Sequence, residues 1–102
     1  MPAYMLIAAK ITDRERFIND YAPAAAKVVA QFGGRYLYRG RGATLLEGDF
    51  GEGASTMISE WPDKATAEAF WNSPEYAEAK LLREGAADCQ VLLVEMERLD
   101  RR

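Results

Sequence analysis

The sequence predicts one α+β domain over residues 1–102, in which an antiparallel sheet carries all of its helices on one face. The order of the predicted elements leads to this prediction, because strand–helix–strand over residues 3–47 is followed by strand–helices–strand over residues 55–99. Size and composition agree with it: the chain has 102 residues, 49% of them hydrophobic and 28% charged. Two interleaved units of this kind form the ferredoxin-like fold.

The first predicted strand, over residues 3–11, is apolar on both of its faces. One face carries Met5, Ile7, Ala9 and Ile11, and the other carries Tyr4, Leu6 and Ala8. A strand that is apolar on both sides is covered on both sides. We therefore expect helices over one face of the sheet and a second covering layer over the other.

A long helix is predicted after this strand. Thr12 and Glu15 match a capping box, which predicts Thr12 as the N-cap. Apolar residues then recur at helical spacing, as Phe17, Tyr21, Ala25, Val28 and Phe32. Pro23 lacks an amide hydrogen, so the helix is expected to kink or restart near residues 21–22. Gly33 and Gly34 are expected to end it, because glycine adopts the left-handed cap conformation without steric cost.

A β-hairpin is predicted next. Residues 35–39 and 43–47 read as short strands, and Gly40-Arg41-Gly42 between them is typical of a tight turn. Residues 49–54 are glycine-rich and are predicted to be a loop.

The second repeat begins with a strand over residues 55–61. Asp63 is predicted to cap a short helix over residues 64–72. Ser73 is predicted to cap the next helix, with Pro74 at its first position, where the missing amide hydrogen is harmless.

The last predicted strand, residues 90–99, returns the chain to the sheet. Apolar residues are expected on the sheet face that the helices leave open, namely Leu6, Ala8, Val91 and Leu93. Such a face exceeds the apolar patch that soluble monomers usually expose. We therefore predict a homodimer in which two copies pack sheet to sheet about a two-fold axis.

Charge and residue usage exclude several function classes. A net charge of −3 gives no long-range attraction to nucleic acid or to an anionic membrane. No apolar run approaches the roughly 18 residues of a membrane span. Histidine is absent, which removes histidine-activated nucleophiles, a histidine haem ligand and most zinc sites, so no metal or cofactor is expected. The single cysteine, Cys89, cannot form an internal disulfide, which favours a cytoplasmic location.

Glu60 is the candidate catalytic base. It ends a predicted strand beside Trp61, and partial desolvation by aromatic rings raises the pKa of a carboxyl group. The alternative is a structural carboxylate paired with Arg39 or Arg83. These two arginines are the candidate clamp for a substrate carboxylate, since guanidinium groups bind carboxylates in bidentate fashion. Either could equally be an ordinary surface cation.

Aromatic side chains supply the remaining candidates. Tyr21, Trp71 and Tyr76 could stack on, or hydrogen-bond to, a small aromatic or unsaturated ligand, although aromatics at helical spacing also build plain core. Ser73 is assigned to helix capping, because no base is available to activate it. Cys89 is assigned to a buried structural thiol.

Motifs spread over almost the whole chain resemble the domain-of-unknown-function family 1330. They are Gly33-Gly34-Arg35-Tyr36-Leu37, Arg39-Gly40, Leu46-Glu47-Gly48, Ile58-Ser59-Glu60-Trp61-Pro62, Trp71-Asn72-Ser73-Pro74-Glu75-Tyr76, Arg83 and Val91-Leu92-Leu93-Val94-Glu95. Trp61 stands where the family usually has Phe. The resemblance implies the dimeric α/β-barrel superfamily, hence a ferredoxin-like fold and a face-to-face dimer. It leaves the activity open, because superfamily relatives include cofactor-free monooxygenases, lactone isomerases, haem-dependent enzymes and ligand-binding regulatory domains.

The leading functional hypothesis is a dimer with a small-molecule pocket between sheet and helices. In an enzyme, it would perform cofactor-free proton transfer of the isomerase, lyase or monooxygenase type on a small anionic or unsaturated compound. The alternative is a non-catalytic binding or regulatory module that uses the same pocket.

Overall fold

A computed structural model describes residues 1–100 of the chain. The elements in chain order are β1 (Ala3–Ile11), α1 (Arg14–Arg16), a π-helical segment (Phe17–Tyr21), α2 (Ala22–Gln31), β2 (Arg35–Gly40), β3 (Ser55–Trp61), α3 (Lys64–Trp71), α4 (Pro74–Leu81) and β4 (Ala87–Glu95). The four strands form one sheet in the order β2-β3-β1-β4, and every neighbouring pair is antiparallel. This is the predicted ferredoxin-like arrangement.

The first helix begins one residue later than the sequence predicts. Asp13 is its N-cap, and Oδ1 of Asp13 accepts a hydrogen bond from the amide of Arg16 at 3.2 Å. Thr12 instead lies just past the end of β1, where its amide donates to the carbonyl of Ala86 at 2.8 Å and its hydroxyl donates to the carbonyl of Gly85 at 3.4 Å. The prediction of Thr12 as N-cap was wrong because its hydroxyl bonds to Gly85, in the segment before β4, and not to the first turn of the helix.

The restart expected at Pro23 is confirmed. The amide of Ala22 donates to the carbonyl of Phe17, one residue further back than in an α-helix, and Pro23 lies in the first turn of α2. The glycine stop is confirmed as well. Gly33 has a φ of 84°, and the amide of Gly34 donates to the carbonyl of Val29 at 3.0 Å.

The predicted hairpin is wrong. Residues 43–47 form no strand, and the ladder partner of β2 is β3. The connecting loop closes on itself instead: the amide of Ala43 donates to the carbonyl of Ala54 at 3.0 Å, and the amide of Gly53 donates to Ala43 at 2.8 Å. Local turn residues predicted a tight connection, but β2 pairs instead with the seven-residue β3, which β1 holds in the sheet from its other edge.

The helix caps of the second repeat are confirmed. The carboxylate of Asp63 accepts from the amide of Thr66 at 2.7 Å, and Oγ of Ser73 accepts from the amide of Tyr76 at 3.1 Å. The last strand starts three residues earlier than predicted and ends at Glu95, because it pairs with the whole length of β1 up to Ile11.

The core lies between the helices and one face of the sheet. Its buried side chains are Ala3, Met5, Ala25, Val28, Val29, Trp61, Ala67, Phe70, Tyr76 and Ala79. Val91 and Leu93 also pack against this cluster, so their predicted place on the open face is wrong. They pair with Ile7 and Met5, and a one-residue change in strand phase moves every side chain to the other face.

The opposite sheet face, called the open face below, carries no helix. Its apolar side chains are Tyr4, Leu6, Ala8, Tyr38, Ile58, Leu92 and Val94, as the strand pairing places them. Tyr38 is 70% exposed and Leu92 is 64% exposed. The open face is therefore apolar as predicted, but its residues from β4 are Leu92 and Val94 and not Val91 and Leu93. Within residues 1–100, no helix is both long and apolar enough to cross a membrane.

Candidate functional site

A cavity of about 310 Å³ lies between the helix-facing side of the sheet and the helices. Its floor includes one row of cross-strand neighbours, Arg39, Met57, Ile7 and Val91. The π-helical segment and α2 cover it on one side, and Phe70, Trp71 and Tyr76 cover it on the other. The volume falls at the lower end of the range for small-molecule sites, about 300–1,000 Å³.

One corner of this cavity is polar. The hydroxyl groups of Tyr21 and Tyr76 lie 2.8 Å apart, so one donates a hydrogen bond to the other. The guanidinium of Arg83 lies over the ring of Tyr21, 5.6 Å from its centroid. Because each hydroxyl carries one proton, the pair retains one O–H that can be donated to a ligand. We call Tyr21, Tyr76 and Arg83 the polar corner.

Local structure fixes this corner. Tyr76 occupies the first turn of α4, where its amide is held by Ser73, and Oγ of Ser73 donates to the carbonyl of Phe70 at 2.7 Å. Tyr21 ends the π-helical segment, whose wider turn sets its ring 5.0 Å from that of Phe17. Single π-helical turns are frequent at functional sites, where they redirect a side chain.

Burial controls the titration of the cavity's polar groups. It raises the pKa of Tyr21 far above its ordinary value, with smaller upward contributions from Tyr76. It raises the pKa of Tyr36 to about 12, and it raises the pKa of the Cys89 thiol, which Arg83 opposes. For Arg83 burial acts downward, but the neighbouring Tyr76 and Cys89 outweigh it, so the net shift of its pKa is upward. These groups are therefore hydrogen-bond donors at neutral pH and not bases.

Aromatic rings form one wall of the cavity. The ring centroids of Tyr76 lie 4.5 Å from Phe70 and 5.2 Å from Trp71. The ammonium of Lys80 lies 4.6 Å from the centroid of the Trp71 ring, which helps to hold that indole in place. The rings are tilted by 37° and 39° to one another, and the wall offers aromatic surface to an unsaturated ligand.

Five of the six predicted site residues line the cavity, and the sixth does not. The cavity is lined by Tyr21, Arg39, Trp71, Tyr76 and Arg83 but not by Glu60. Sequence reasoning did not single out Tyr36, Arg14 and Arg41, which also line it. Strand alternation could have identified Tyr36, whereas the two arginines reach the cavity only through tertiary packing.

Glu60 lies on the open face, opposite Trp61. Its Oε2 accepts a hydrogen bond from the Tyr4 hydroxyl at 3.0 Å. Its Oε1 accepts from Nε and Nη2 of Arg35 at 2.8 and 2.6 Å. Arg35, and next Tyr4, hold the pKa of Glu60 below its ordinary value. The predicted raised pKa is therefore wrong, and so are the predicted partners Arg39 and Arg83. The misplacement follows from the alternation of β3, which sends Glu60 and Trp61 to opposite faces.

The pairing of Glu60 with Arg35 predicts a specific acid sensitivity. Because the pKa of Glu60 is lower in the folded state, its stabilising contribution is complete above its unfolded pKa, about 4.3. That contribution is lost as the pH falls through the lower folded pKa. We expect Glu60→Gln to lower the urea midpoint at pH 7 and to leave it unchanged at pH 2. The exposed Glu68→Gln serves as control, and equal pH profiles for wild type and Glu60→Gln would contradict the assignment.

Within residues 1–100, no group of three or more His, Cys, Asp or Glu side chains is placed to hold a metal ion. The charged groups that line the cavity are guanidinium groups, which bind anions and repel cations. The site is therefore suited to an organic ligand with oxygen functions.

Comparison with known proteins gives a family and a fold. The family model "Domain of unknown function (DUF1330)" matches residues 2–96. No curated protein matches the sequence.

Several solved structures share the fold. RPA0582 from Rhodopseudomonas palustris, of unknown function, is 22% identical with a TM-score of 0.77, over 95% of this chain and 83% of that chain. SnoaB from Streptomyces nogalater, a cofactor-independent oxygenase, is 13% identical with a TM-score of 0.68, over 95% and 94%. A dimeric ferredoxin-like protein of unknown function from Jannaschia sp. CCS1 is 13% identical with a TM-score of 0.68, over 94% and 100%.

Proposed function

The chain belongs to the DUF1330 family, and we propose that it binds a small organic molecule in the cavity between its sheet and its helices. The observation that carries this proposal is the polar corner, since Tyr21, Tyr76 and Arg83 converge at one point of an otherwise apolar cavity. An apolar cavity with a few convergent polar groups is the usual form of a ligand site.

The ligand carries an oxygen atom with negative or partly negative charge. Arg83 and the spare hydroxyl proton of the tyrosine pair supply hydrogen bonds to such an atom at the polar corner. The aromatic wall of Phe70, Trp71 and Tyr76 receives an unsaturated or aromatic body. Arg39, at the far side of the cavity floor, completes the anion clamp.

In its catalytic form, the protein performs cofactor-free proton-transfer chemistry of the isomerase, lyase or monooxygenase type. The polar corner stabilises the enolate or phenolate oxygen that forms when the ligand loses a proton. The similar fold of SnoaB, a cofactor-independent oxygenase, supports this chemistry. Glu60 does not line this cavity, so the predicted base would have to act from the open face and not on a ligand held at the polar corner. The geometry favours a ligand acidic enough to lose its proton to water once its anion is held at the corner.

A non-catalytic ligand-binding module is the second candidate. Its support is the cavity lining, which includes no carboxylate that could act as a base. The raised pKa values of Tyr21, Tyr36 and Cys89 agree with this, since they make these groups poorer sources of a base. A module of this kind binds the same ligands and releases them unchanged.

Two copies of the chain pair through the open face, in the cytoplasm as the single cysteine predicts. The apolar side chains of that face support this pairing, together with the similarity to a protein described as dimeric. The second copy supplies the layer that the doubly apolar strand β1 requires.

A ligand screen with two cavity variants tests the proposal. Compounds that bind the cavity are expected to increase the free energy of unfolding of the wild type by RT ln(1 + [L]/Kd) and so to raise its melting temperature. Tyr76→Phe and Arg83→Met are each expected to weaken binding about 10- to 100-fold, since a charge-assisted or buried hydrogen bond contributes about 1.5–3 kcal/mol. Arg98→Met is the control, because Arg98 is exposed and pairs with Asp100 at 3.6 Å.

The outcome also separates the two candidates. A hit that is converted to product on incubation, with conversion slowed in Tyr76→Phe, supports the catalytic form. A hit recovered unchanged supports the binding module. If no compound raises the melting temperature, or if the variants bind as tightly as the control, the cavity is not the site.

A further inference from the structure

The charged side chains that line the cavity are all arginines. Four arginines, and no aspartate, glutamate or lysine, are among its lining residues, namely Arg14, Arg39, Arg41 and Arg83. The chain as a whole has a net charge of −3, so this positive lining is not a consequence of composition. From this lining and the polar corner, we propose that the ligand is a carboxylic acid that carries a second oxygen function. This inference rests on the proposed function and specifies its ligand.

The four arginines surround one end of the cavity. β1 and β2 end there, β3 and β4 begin there, and Arg39 and Arg41 flank the last residue of β2. Arg14 follows the end of β1, and Arg83 precedes β4. The arginines therefore form a positively charged mouth.

Two anion-binding points lie on opposite sides of this mouth. Arg39 belongs to the edge strand β2, and its row across the sheet ends at Val91 of β4. Three strand spacings separate the two backbones, about 14 Å. Arg83, beside Cys89 of β4, forms the other point with the tyrosine pair. A ligand that uses both points carries an acid at one end and a phenolic, enolic or keto oxygen at the other.

The arginines of the mouth have no protein carboxylate to neutralise them. Among residues 1–100, the ion pairs within 4.0 Å involve Arg35 and Arg98, neither of which lines the cavity. Four like charges around an apolar cavity repel one another, and a bound carboxylate relieves that repulsion. Arginine suits this task, because its fork of donors matches both oxygens of a carboxylate.

Matched ligands test the inference on the full-length protein. The probe set consists of aromatic and unsaturated carboxylic acids with a second hydroxyl or keto group, such as 4-hydroxycinnamate, each with its methyl ester. We expect the acids to bind at least about tenfold more tightly than their esters in calorimetry at low salt. The difference is expected to shrink when sodium chloride is raised to about 300 mM, because the mouth is open to solvent and its charges are screened.

Variants locate the effect. Arg39→Gln combined with Arg41→Gln is expected to weaken acid binding by at least about tenfold and ester binding by much less, because only the acid presents a charge to these guanidinium groups. Arg98→Gln is expected to retain the preference in full. Neutral compounds that bind the cavity as tightly as the acids would overturn this inference and leave the proposed function standing. If neither acids nor esters bind, and the broader screen also finds no ligand, both fall.

Discussion

Gly34→Ala is expected to destabilise the folded protein by about 1–3 kcal/mol, the usual cost of overpacking a filled core. A Cβ at this position would lie 2.6–2.8 Å from the Cη2, Cζ3 and Cζ2 atoms of Trp61. The indole cannot move away, because it is 1% exposed and its Nε1 donates to Oγ of Ser59 at 3.0 Å. The backbone at Gly34 is fixed as well, by the hydrogen bond from its amide to Val29.

A second substitution isolates the cause. Trp61→Phe removes the part of the indole that a Cβ at residue 34 would meet, so Gly34→Ala should cost little in that background. Trp61→Phe alone is expected to destabilise by about 1–3 kcal/mol through the cavity it leaves. The double variant should therefore be more stable than the sum of the single changes predicts, by about 1–2 kcal/mol. Urea unfolding of all four proteins measures this coupling, and additive effects would show that the close approach is not the reason for glycine.

Only one of the two structural roles of Gly34 can be predicted from the sequence. The pair Gly33-Gly34 predicts the end of a helix, since a cap is a local property of the chain. The contact of Gly34 with Trp61 depends on the fold, and no local pattern signals it. The same division applies to the caps. Asp63 and Ser73 are predicted correctly from their neighbours, whereas the Thr12 hydroxyl bonds to Gly85, which is far away in sequence.

The residues of the candidate site also differ in whether the sequence alone can predict them. Tyr21 and Tyr76 could be predicted because helical spacing identifies the face on which an aromatic residue lies. The position of Glu60 is predicted wrongly although alternation along β3 carries the signal, because Glu60 and Trp61 are adjacent in sequence but lie on opposite faces of the sheet. The mouth depends on Arg14 and Arg41, which only the folded chain brings to one cavity.

Leu92→Arg is expected to convert a dimer into monomers. Leu92 is 64% exposed and pairs with Leu6 in the middle of the open face, near Tyr38 and Ile58. In a two-fold pairing of open faces, each copy would bury the new arginine without a carboxylate to pair with it. An unpaired buried charge costs several kcal/mol, and the cost arises twice in a dimer, so the dissociation constant should rise by more than about 100-fold. Light scattering coupled to size exclusion at micromolar concentration measures the mass directly.

Leu81→Arg is the matched control for that experiment. Leu81 is 62% exposed, nearly the same as Leu92, but it lies on α4, away from the open face. Both changes replace an exposed leucine with the same charge, so any difference between them reports the location and not the substitution. A dimer that survives in Leu81→Arg and dissociates in Leu92→Arg assigns the interface to the open face. A wild-type monomer, or equal dissociation in both variants, would mean that a second copy does not cover this face, and the apolar side of β1 would then require a different partner.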